Sequence, residues 1–123
     1  MDPKKTICTI PWNHIAVLQN GDYGICCQCI YSSAGRLVTN GENERVDKID
    51  VDDVRNHPTY VDLRHSMLNG RQHPLCKLCW DEEAFGKKSK RISQSDSYPE
   101  LLQKILSNPN KSGVIDPKEF PVT

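Results

Sequence analysis

The sequence has few aromatic residues and no long apolar run. Aromatic side chains make up 7% of the 123 residues, and the mean hydropathy is −0.61. A membrane-spanning helix needs about 20 consecutive apolar residues, and no stretch approaches that length. Residues 1–5 lead into no apolar segment of the kind that a secretory signal contains. These absences predict a cytoplasmic protein without a membrane partner.

The sequence also lacks an excess of either charge. Sixteen basic and sixteen acidic side chains give a formal net charge of zero. A domain built to neutralise nucleic-acid phosphates is normally basic, so we expect no nucleic-acid partner.

The apolar content predicts a thin core. Leu, Ile, Val and Phe together number only 28 of 123 residues, and the length suggests one domain. The stability left after the loss of chain entropy is small in such a domain. A covalent or metal cross-link would therefore help this fold, and the six cysteines are the candidates.

The cysteines form two groups. One is a C-x-x-C pair, Cys76 and Cys79; the other comprises Cys8, Cys26, Cys27 and Cys29. Such a pair serves either metal binding or redox chemistry, but the thioredoxin type needs a surrounding βαβ pattern, which is absent. Disulfides are disfavoured because cysteine makes up only about 5% of the chain, below a secreted disulfide scaffold.

The pattern of the chain predicts a small α+β fold. Residues 8–31 resemble a β-hairpin that turns at residues 19–22, where Asn-Gly is a strong hairpin signal. Residues 32–50 are predicted to be mostly loop, with a possible short strand at 36–38. Four helical segments follow, at residues 52–56, 58–68, 75–91 and 98–106, the last with a capping box that begins at Ser97. Residues 107–123 are predicted to be a linker or tail.

Two distant segments can bring four thiols together. A hairpin that carries Cys8 and Cys26, packed against a helix start that carries Cys76 and Cys79, would supply four thiolates to a tetrahedral zinc ion or an iron–sulfur cluster. Cys27 lies next to Cys26 and is the alternate ligand if the strand register slips by one residue. His73 is a further candidate ligand for zinc. In either case the free energy of metal binding would add to the folding free energy.

The chain resembles the SPASM/twitch auxiliary-cluster domains of radical SAM proteins over about residues 7–92. Those domains begin C-x(9–15)-G-x4-C, a spacing that Cys8, Gly21 and Cys26 reproduce. The resemblance continues through residues 56–64 and 66–70, and then through the C-x-x-C pair and Trp80-Asp81-Glu82-Glu83. Full SPASM domains continue with C-x5-C-x3-C, whereas no cysteine follows Cys79, so the match is to the shorter twitch form.

The resemblance implies one 4Fe-4S cluster with four ligands: Cys8, Cys26, Cys76 and Cys79. It implies an auxiliary role in electron transfer, in substrate positioning or in support of the fold, with a radical SAM barrel as partner in the same or a separate chain. A peptide or small-molecule substrate would then also be a partner. The chain itself lacks the C-x-x-x-C-x-x-C motif that binds the cluster reacting with S-adenosyl-L-methionine, so we expect no turnover from it alone. On this basis, residues 1–106 are expected to form the cluster domain, and residues 107–123 to lead toward the barrel. The alternative function is a structural zinc-binding adaptor that uses the same four cysteines.

Three further features have structural interpretations. The basic run at residues 87–91 is predicted to be the solvated end of the third helix, where cations suit the helix dipole. Trp12 and Trp80 flank the cysteines and are predicted to keep water from the site. The acidic run at residues 81–83 is predicted to face solvent.

Overall fold

The computed structural model describes residues 6–26 and 35–122. Among them are two two-stranded antiparallel sheets, β1 with β2 and β3 with β4: Ala16–Val17, Tyr23–Gly24, Val38–Thr39 and Glu42–Asn43. The described residues also form six α-helices, α1 to α6: Ile10–Asn13, Val51–Val54, Pro58–Leu68, Lys77–Ala84, Lys90–Ser97 and Pro99–Ser107. A 3₁₀ turn, Pro74–Cys76, directly precedes α4. The predicted α+β class is confirmed, with more helices than the three or four expected.

The first hairpin is shorter than predicted. Its turn lies at residues 19–22 as expected, with Gly21 at φ +89°, but β1 and β2 have two residues each. The prediction of extended chain from residue 8 was wrong, because Pro11 stands in the first turn of helix α1, where its fixed φ and missing N–H suit a helix. The far part of the predicted return strand, residues 27–31, lies outside the described residues.

A second hairpin occupies part of the segment predicted to be loop. Asn40 and Gly41 form its turn with φ values of 53° and 81°, the combination that a type I′ turn requires. The predicted loop over residues 32–50 was therefore wrong at this point. The same Asn-Gly signal that located the first turn also marks this one.

Asp22 ties the two hairpins together. Its side chain is 3% exposed and forms ion pairs with Arg36 at 2.7 Å and Arg45 at 3.3 Å. It also accepts hydrogen bonds from Asn20 and Asn43. The carboxylate thus joins groups from the first turn, from β4 and from the segments on either side of the second hairpin.

Helices α2 and α3 follow the predicted boundaries closely. Helix α3 begins at Pro58, and the ring of His57 caps it by accepting a hydrogen bond from the Thr59 N–H at 3.1 Å. It ends at Leu68, just before Gly70, whose φ of +75° is the left-handed conformation expected of a helix terminator.

The third predicted helix is two helices, so the prediction of one helix over 75–91 was wrong. Helix α4 ends before Gly86, which has φ +76°, and Ser89 then begins α5 by accepting a hydrogen bond from the Ile92 N–H. The basic run joins the two helices instead of ending one. The predicted capping box was also wrong: Ser97 belongs to α5, and Tyr98 precedes α6 without a side-chain cap.

The core is formed by residues from both halves of the chain. Tyr23, Leu37, Tyr60 and Leu63 are among its fully buried members, and Ile115 and Phe120 extend it into the C-terminal segment. Residues 107–122 therefore pack against the domain. Their role as a link to a following domain stays a prediction.

Two arginines are buried in this core. Arg64 on α3 is 0% exposed and donates hydrogen bonds to the carbonyl oxygens of Pro11, Arg55 and Gly113, at 2.6–2.7 Å. Arg55 in turn donates to the carbonyl oxygen of Trp12 at 2.6 Å. Burial and the nearby Arg55 lower the pKa of Arg64 to about 10, which still leaves it charged at neutral pH. These bonds fix α1 against α3.

Candidate metal centre

All four cysteines in the described part of the chain line one cavity of about 480 Å³. Three stretches of chain supply them: Cys8 precedes α1, Cys26 follows β2, and Cys76 and Cys79 lie at the start of α4. None of the four belongs to a disulfide. The structure therefore brings these four residues to one cavity, and their role as metal or cluster ligands stays a prediction.

Cys8 is positioned by α3. Its backbone N–H contacts the Met67 sulfur at 3.5 Å, and the neighbouring Thr6 hydroxyl donates to the Met67 carbonyl oxygen at 2.8 Å. Met67 and Leu63 also line the cavity, so the same face of α3 holds the chain and forms the cavity wall.

Cys26 is positioned by the end of the first hairpin. The Ile25 N–H donates to the Gly35 carbonyl oxygen at 2.9 Å, and the Tyr60 hydroxyl donates to the Gly24 carbonyl oxygen at 2.7 Å. These two bonds fix the backbone just before Cys26. Cys27, the alternate ligand, and Cys29 lie outside the described residues.

Cys76 and Cys79 stand at the helix start that the sequence predicts. The ring of His73 accepts a hydrogen bond from the Leu75 N–H at 3.2 Å, which begins the 3₁₀ turn. Its other nitrogen contacts an Asp62 carboxylate oxygen at 2.8 Å. Both ring nitrogens of His73 are thus engaged, and His73 is not among the residues that line the cavity. The hypothesis that it serves as a metal ligand finds no support, and its role is to cap the turn.

The two tryptophans have different positions. Trp80 lines the cavity and donates its ring N–H to the His73 carbonyl oxygen at 2.8 Å, in agreement with a role in shielding the site. Trp12 is buried in the core and does not line the cavity. The prediction of a shared role was therefore wrong for Trp12, and shielding of the site by Trp80 stays a prediction.

Burial in the cavity favours the protonated form of three of its thiols, those of Cys8, Cys76 and Cys79. Burial raises the pKa of Cys8 to about 12 and also raises the pKa of Cys76 and Cys79. The other cysteines add to the effect at Cys8 and Cys76, because a thiolate disfavours a second negative charge nearby. A cationic centre would remove this penalty, and its binding would release protons from the thiols.

The start of α5 faces Cys79, which the sequence did not reveal. The backbone N–H groups of Lys90 and Arg91 form hydrogen bonds to the Cys79 sulfur and favour its thiolate. The Arg91 guanidinium binds Glu83 through two bonds, at 2.5 and 2.8 Å. Glu83 is therefore paired within the fold, and the prediction that it faces solvent was wrong. Gly86 followed by Ser89 was the signal that a new helix begins near Cys79.

The donor set fits an iron–sulfur cluster. Thiolates are the preferred ligands of such clusters. In a cubane cluster each of the four thiolates binds a different iron, so the sulfurs lie farther apart than the four ligands of a single metal ion. The described residues contain no group of three or more His, Cys, Asp and Glu side chains with the arrangement of a metal-ion site. The four thiols share one cavity nonetheless. No helix in the described residues has both the length and the apolar character needed to cross a membrane.

Comparison with known proteins assigns the family. A model for the SPASM family, described as an iron-sulfur cluster-binding domain, matches residues 8–80. The match covers more than half of the chain and contains all four cysteines of the cavity, so this protein belongs to the SPASM iron–sulfur cluster-binding domain family. No curated protein and no solved structure gives a significant match.

Proposed function

We propose that Cys8, Cys26, Cys76 and Cys79 hold one 4Fe-4S cluster, and that this chain is an auxiliary, twitch-type module of a radical SAM protein. The observation that carries the proposal is the convergence of four cysteines, none of them in a disulfide, from three stretches of chain on one cavity. Membership of an iron–sulfur cluster-binding family supports a cluster over a single ion.

The four-cysteine ligand set favours a role in electron transfer or in support of the fold. A cluster whose four irons each carry a cysteine has no open position for a substrate, in contrast to one with three cysteine ligands. The cluster would supply one-electron redox chemistry, while the surrounding residues exclude water and hold the thiols in place. Positioning of a peptide or small-molecule substrate by the domain surface is compatible with the same ligand set.

A radical SAM barrel is the proposed partner, in the same or a separate chain. The sequence has no C-x-x-x-C-x-x-C motif, so the chemistry with S-adenosyl-L-methionine would belong to that barrel. We place the protein in the cytoplasm, because four cysteines that form no disulfide suit a reducing compartment.

Metal and sulfide analysis of protein purified without oxygen tests the cluster assignment. We expect about four irons and about four sulfides per chain, as a single 4Fe-4S cluster requires. One zinc ion without sulfide would instead support the alternative function, a structural zinc-binding adaptor that uses the same cysteines.

Reaction with S-adenosyl-L-methionine tests the auxiliary role. The reduced, cluster-loaded chain should produce no 5′-deoxyadenosine on its own. Production above a cluster-free control would contradict the assignment to an auxiliary module and place the catalytic centre in this chain.

A further inference from the structure

Arg91 connects the two chain segments that carry Cys8 and Cys79. Its guanidinium donates to the carbonyl oxygen of Ile7 at 3.3 Å, one residue before Cys8. It also lies 5.7 Å from the ring centroid of Trp80, one residue after Cys79. The Arg91 backbone N–H is hydrogen-bonded to the Cys79 sulfur, and Arg91 lines the cavity. One residue therefore contacts both sides of the proposed cluster site.

Glu83 holds this guanidinium in place. Its two carboxylate oxygens accept bonds from Arg91 at 2.5 and 2.8 Å, and one of them also accepts a bond from the Ser89 hydroxyl at 2.7 Å. The side chains of Arg91 and Glu83 are only 8% and 21% exposed. Because water and salt screen buried charges weakly, both charges act on the nearby sulfurs.

The two charges act on the cysteines in opposite directions. The positive charge of Arg91 favours the thiolate of Cys8, whereas the negative charges of Glu82 and Glu83 disfavour the thiolate of Cys79. Reduction of a 4Fe-4S cluster adds one electron and breaks no bond, so it increases the negative charge at the site. A nearby positive charge or an N–H···S hydrogen bond therefore stabilises the reduced form, and a nearby negative charge destabilises it.

We propose that the charges of Arg91 and Glu83 set the reduction potential of the cluster. Arg91 raises this potential and Glu83 lowers it. The proposal rests on the proposed function, since it needs a cluster in the cavity. It assigns to the α4–α5 junction a role that the sequence did not indicate.

Redox titration of the full chain, followed by the electron paramagnetic resonance signal of the reduced cluster, tests the proposal. We expect Glu83→Gln to increase the ratio of reduced to oxidised cluster at least tenfold at a fixed potential, a shift of about 59 mV for a one-electron couple. Arg91→Gln should decrease that ratio by a similar factor. Lys88→Gln is the matched control for Arg91→Gln, because it also removes one positive charge, but from the exposed ion pair of Lys88 with Asp96. It should leave the ratio of reduced to oxidised cluster within twofold of the wild-type ratio.

The outcomes separate this proposal from the proposed function. Opposite shifts for Glu83→Gln and Arg91→Gln support it, whereas a purely structural pair would change the cluster content of both variants without opposite shifts. If Arg91→Gln fails to assemble a cluster, Glu83→Gln decides alone, and an unchanged or lowered potential in that variant overturns the proposal. A cluster present in the wild type with unshifted variants overturns the proposal and leaves the function intact. Absence of iron and sulfide from the wild type overturns both.

Discussion

Arg64 and Gly113 are joined by a hydrogen bond of 2.6 Å from the guanidinium Nε to the glycine carbonyl oxygen, across 49 residues of sequence. The same guanidinium bonds the Pro11 carbonyl oxygen in the segment after Cys8. Arg64 therefore connects helix α1, helix α3 and the segment around Gly113 within one buried group of hydrogen bonds.

Replacing Arg64 by Met should destabilise the protein strongly. The substitution leaves several buried carbonyl oxygens without a donor, and each such loss costs about 1–3 kcal/mol, so we expect a decrease of roughly 3–5 kcal/mol in the free energy of unfolding. Urea denaturation under anaerobic conditions measures it. Arg71→Met, at an exposed position, is the control and should change stability by less than about 0.5 kcal/mol. Equal effects of the two substitutions would contradict the importance of the buried network.

Gly113→Ala should be more damaging than a glycine substitution at an open turn. Gly113 has φ +93°, and an added Cβ would lie 2.2 Å from the Val61 carbonyl oxygen and 2.9 Å from the His65 nitrogen. Gly41, at φ +81°, has nothing within 4 Å of such a Cβ, so Gly41→Ala tests the backbone strain alone.

We expect a loss of about 1–2 kcal/mol for Gly41→Ala, and a loss at least about 1 kcal/mol larger for Gly113→Ala because the collision with α3 must also be relieved. Thermal and urea denaturation measure the difference. A smaller effect at Gly113 would mean that the C-terminal segment moves away from α3 at little cost.

Single cysteine substitutions should identify the ligands. Replacing Cys8, Cys26, Cys76 or Cys79 by Ala removes one of four thiolates, so we expect loss of bound iron and a less stable fold, since metal binding contributes to folding. Cys29→Ala is the control and should retain iron. Iron content and the visible absorption of the cluster measure the outcome; retention of iron in Cys26→Ala together with its loss in Cys27→Ala would assign the ligand to Cys27.

Asp22 should make the free energy of unfolding depend on pH in the acid range. Burial acts to raise its pKa, but hydrogen bonds from Asn20, Asn43 and Arg36 lower it. The pKa of Asp22 in the folded protein therefore lies below the ordinary value of 3.8. The ionised carboxylate therefore stabilises the folded protein above that ordinary value, and the contribution is lost as the pH falls through the lower folded-state pKa.

Asp22→Asn should accordingly lower the free energy of unfolding at pH 7, and the difference from the wild type should shrink as the pH falls below about 4. Denaturation curves at several pH values measure it. Asp96→Asn removes a carboxylate from an exposed ion pair and should show little change at any of these pH values. A difference for Asp22→Asn that stays constant with pH would show that its carboxylate is not held by charged partners.

The sequence predicted the elements whose signals are local. Helix α3 begins at Pro58, a residue that suits the first turn of a helix, and it ends at Leu68, shortly before Gly70 with its positive φ. The spacing of Cys8, Gly21, Cys26 and the C-x-x-C pair identified the family, because the number of residues between these positions can be read from the sequence without knowledge of the fold. The strand lengths were overestimated, since a stretch of apolar residues does not say which of them find a partner strand.

The α4–α5 junction was missed, because an isolated Gly and an isolated Ser, the two signals that mark it, are also tolerated inside a helix. The sequence from residue 75 to 91 suits one helix as well as two, and Gly86 decides between them only because Ser89 caps a new helix beyond it. The Arg91–Glu83 pair depends on that break, as do the N–H groups that reach Cys79. The buried positions of Arg55 and Arg64 were equally hidden, because arginine is usually exposed and only tertiary structure supplies the carbonyl oxygens that satisfy it.

The separation of the four thiols along the chain has a consequence for biosynthesis. Cys79 leaves the ribosome well after Cys8 and Cys26, and helix α5, which contacts it, leaves later still. A nascent chain would therefore expose reactive sulfurs until the last of these segments has emerged. Insertion of the proposed cluster would therefore have to wait for that moment, after most of the chain has been synthesised.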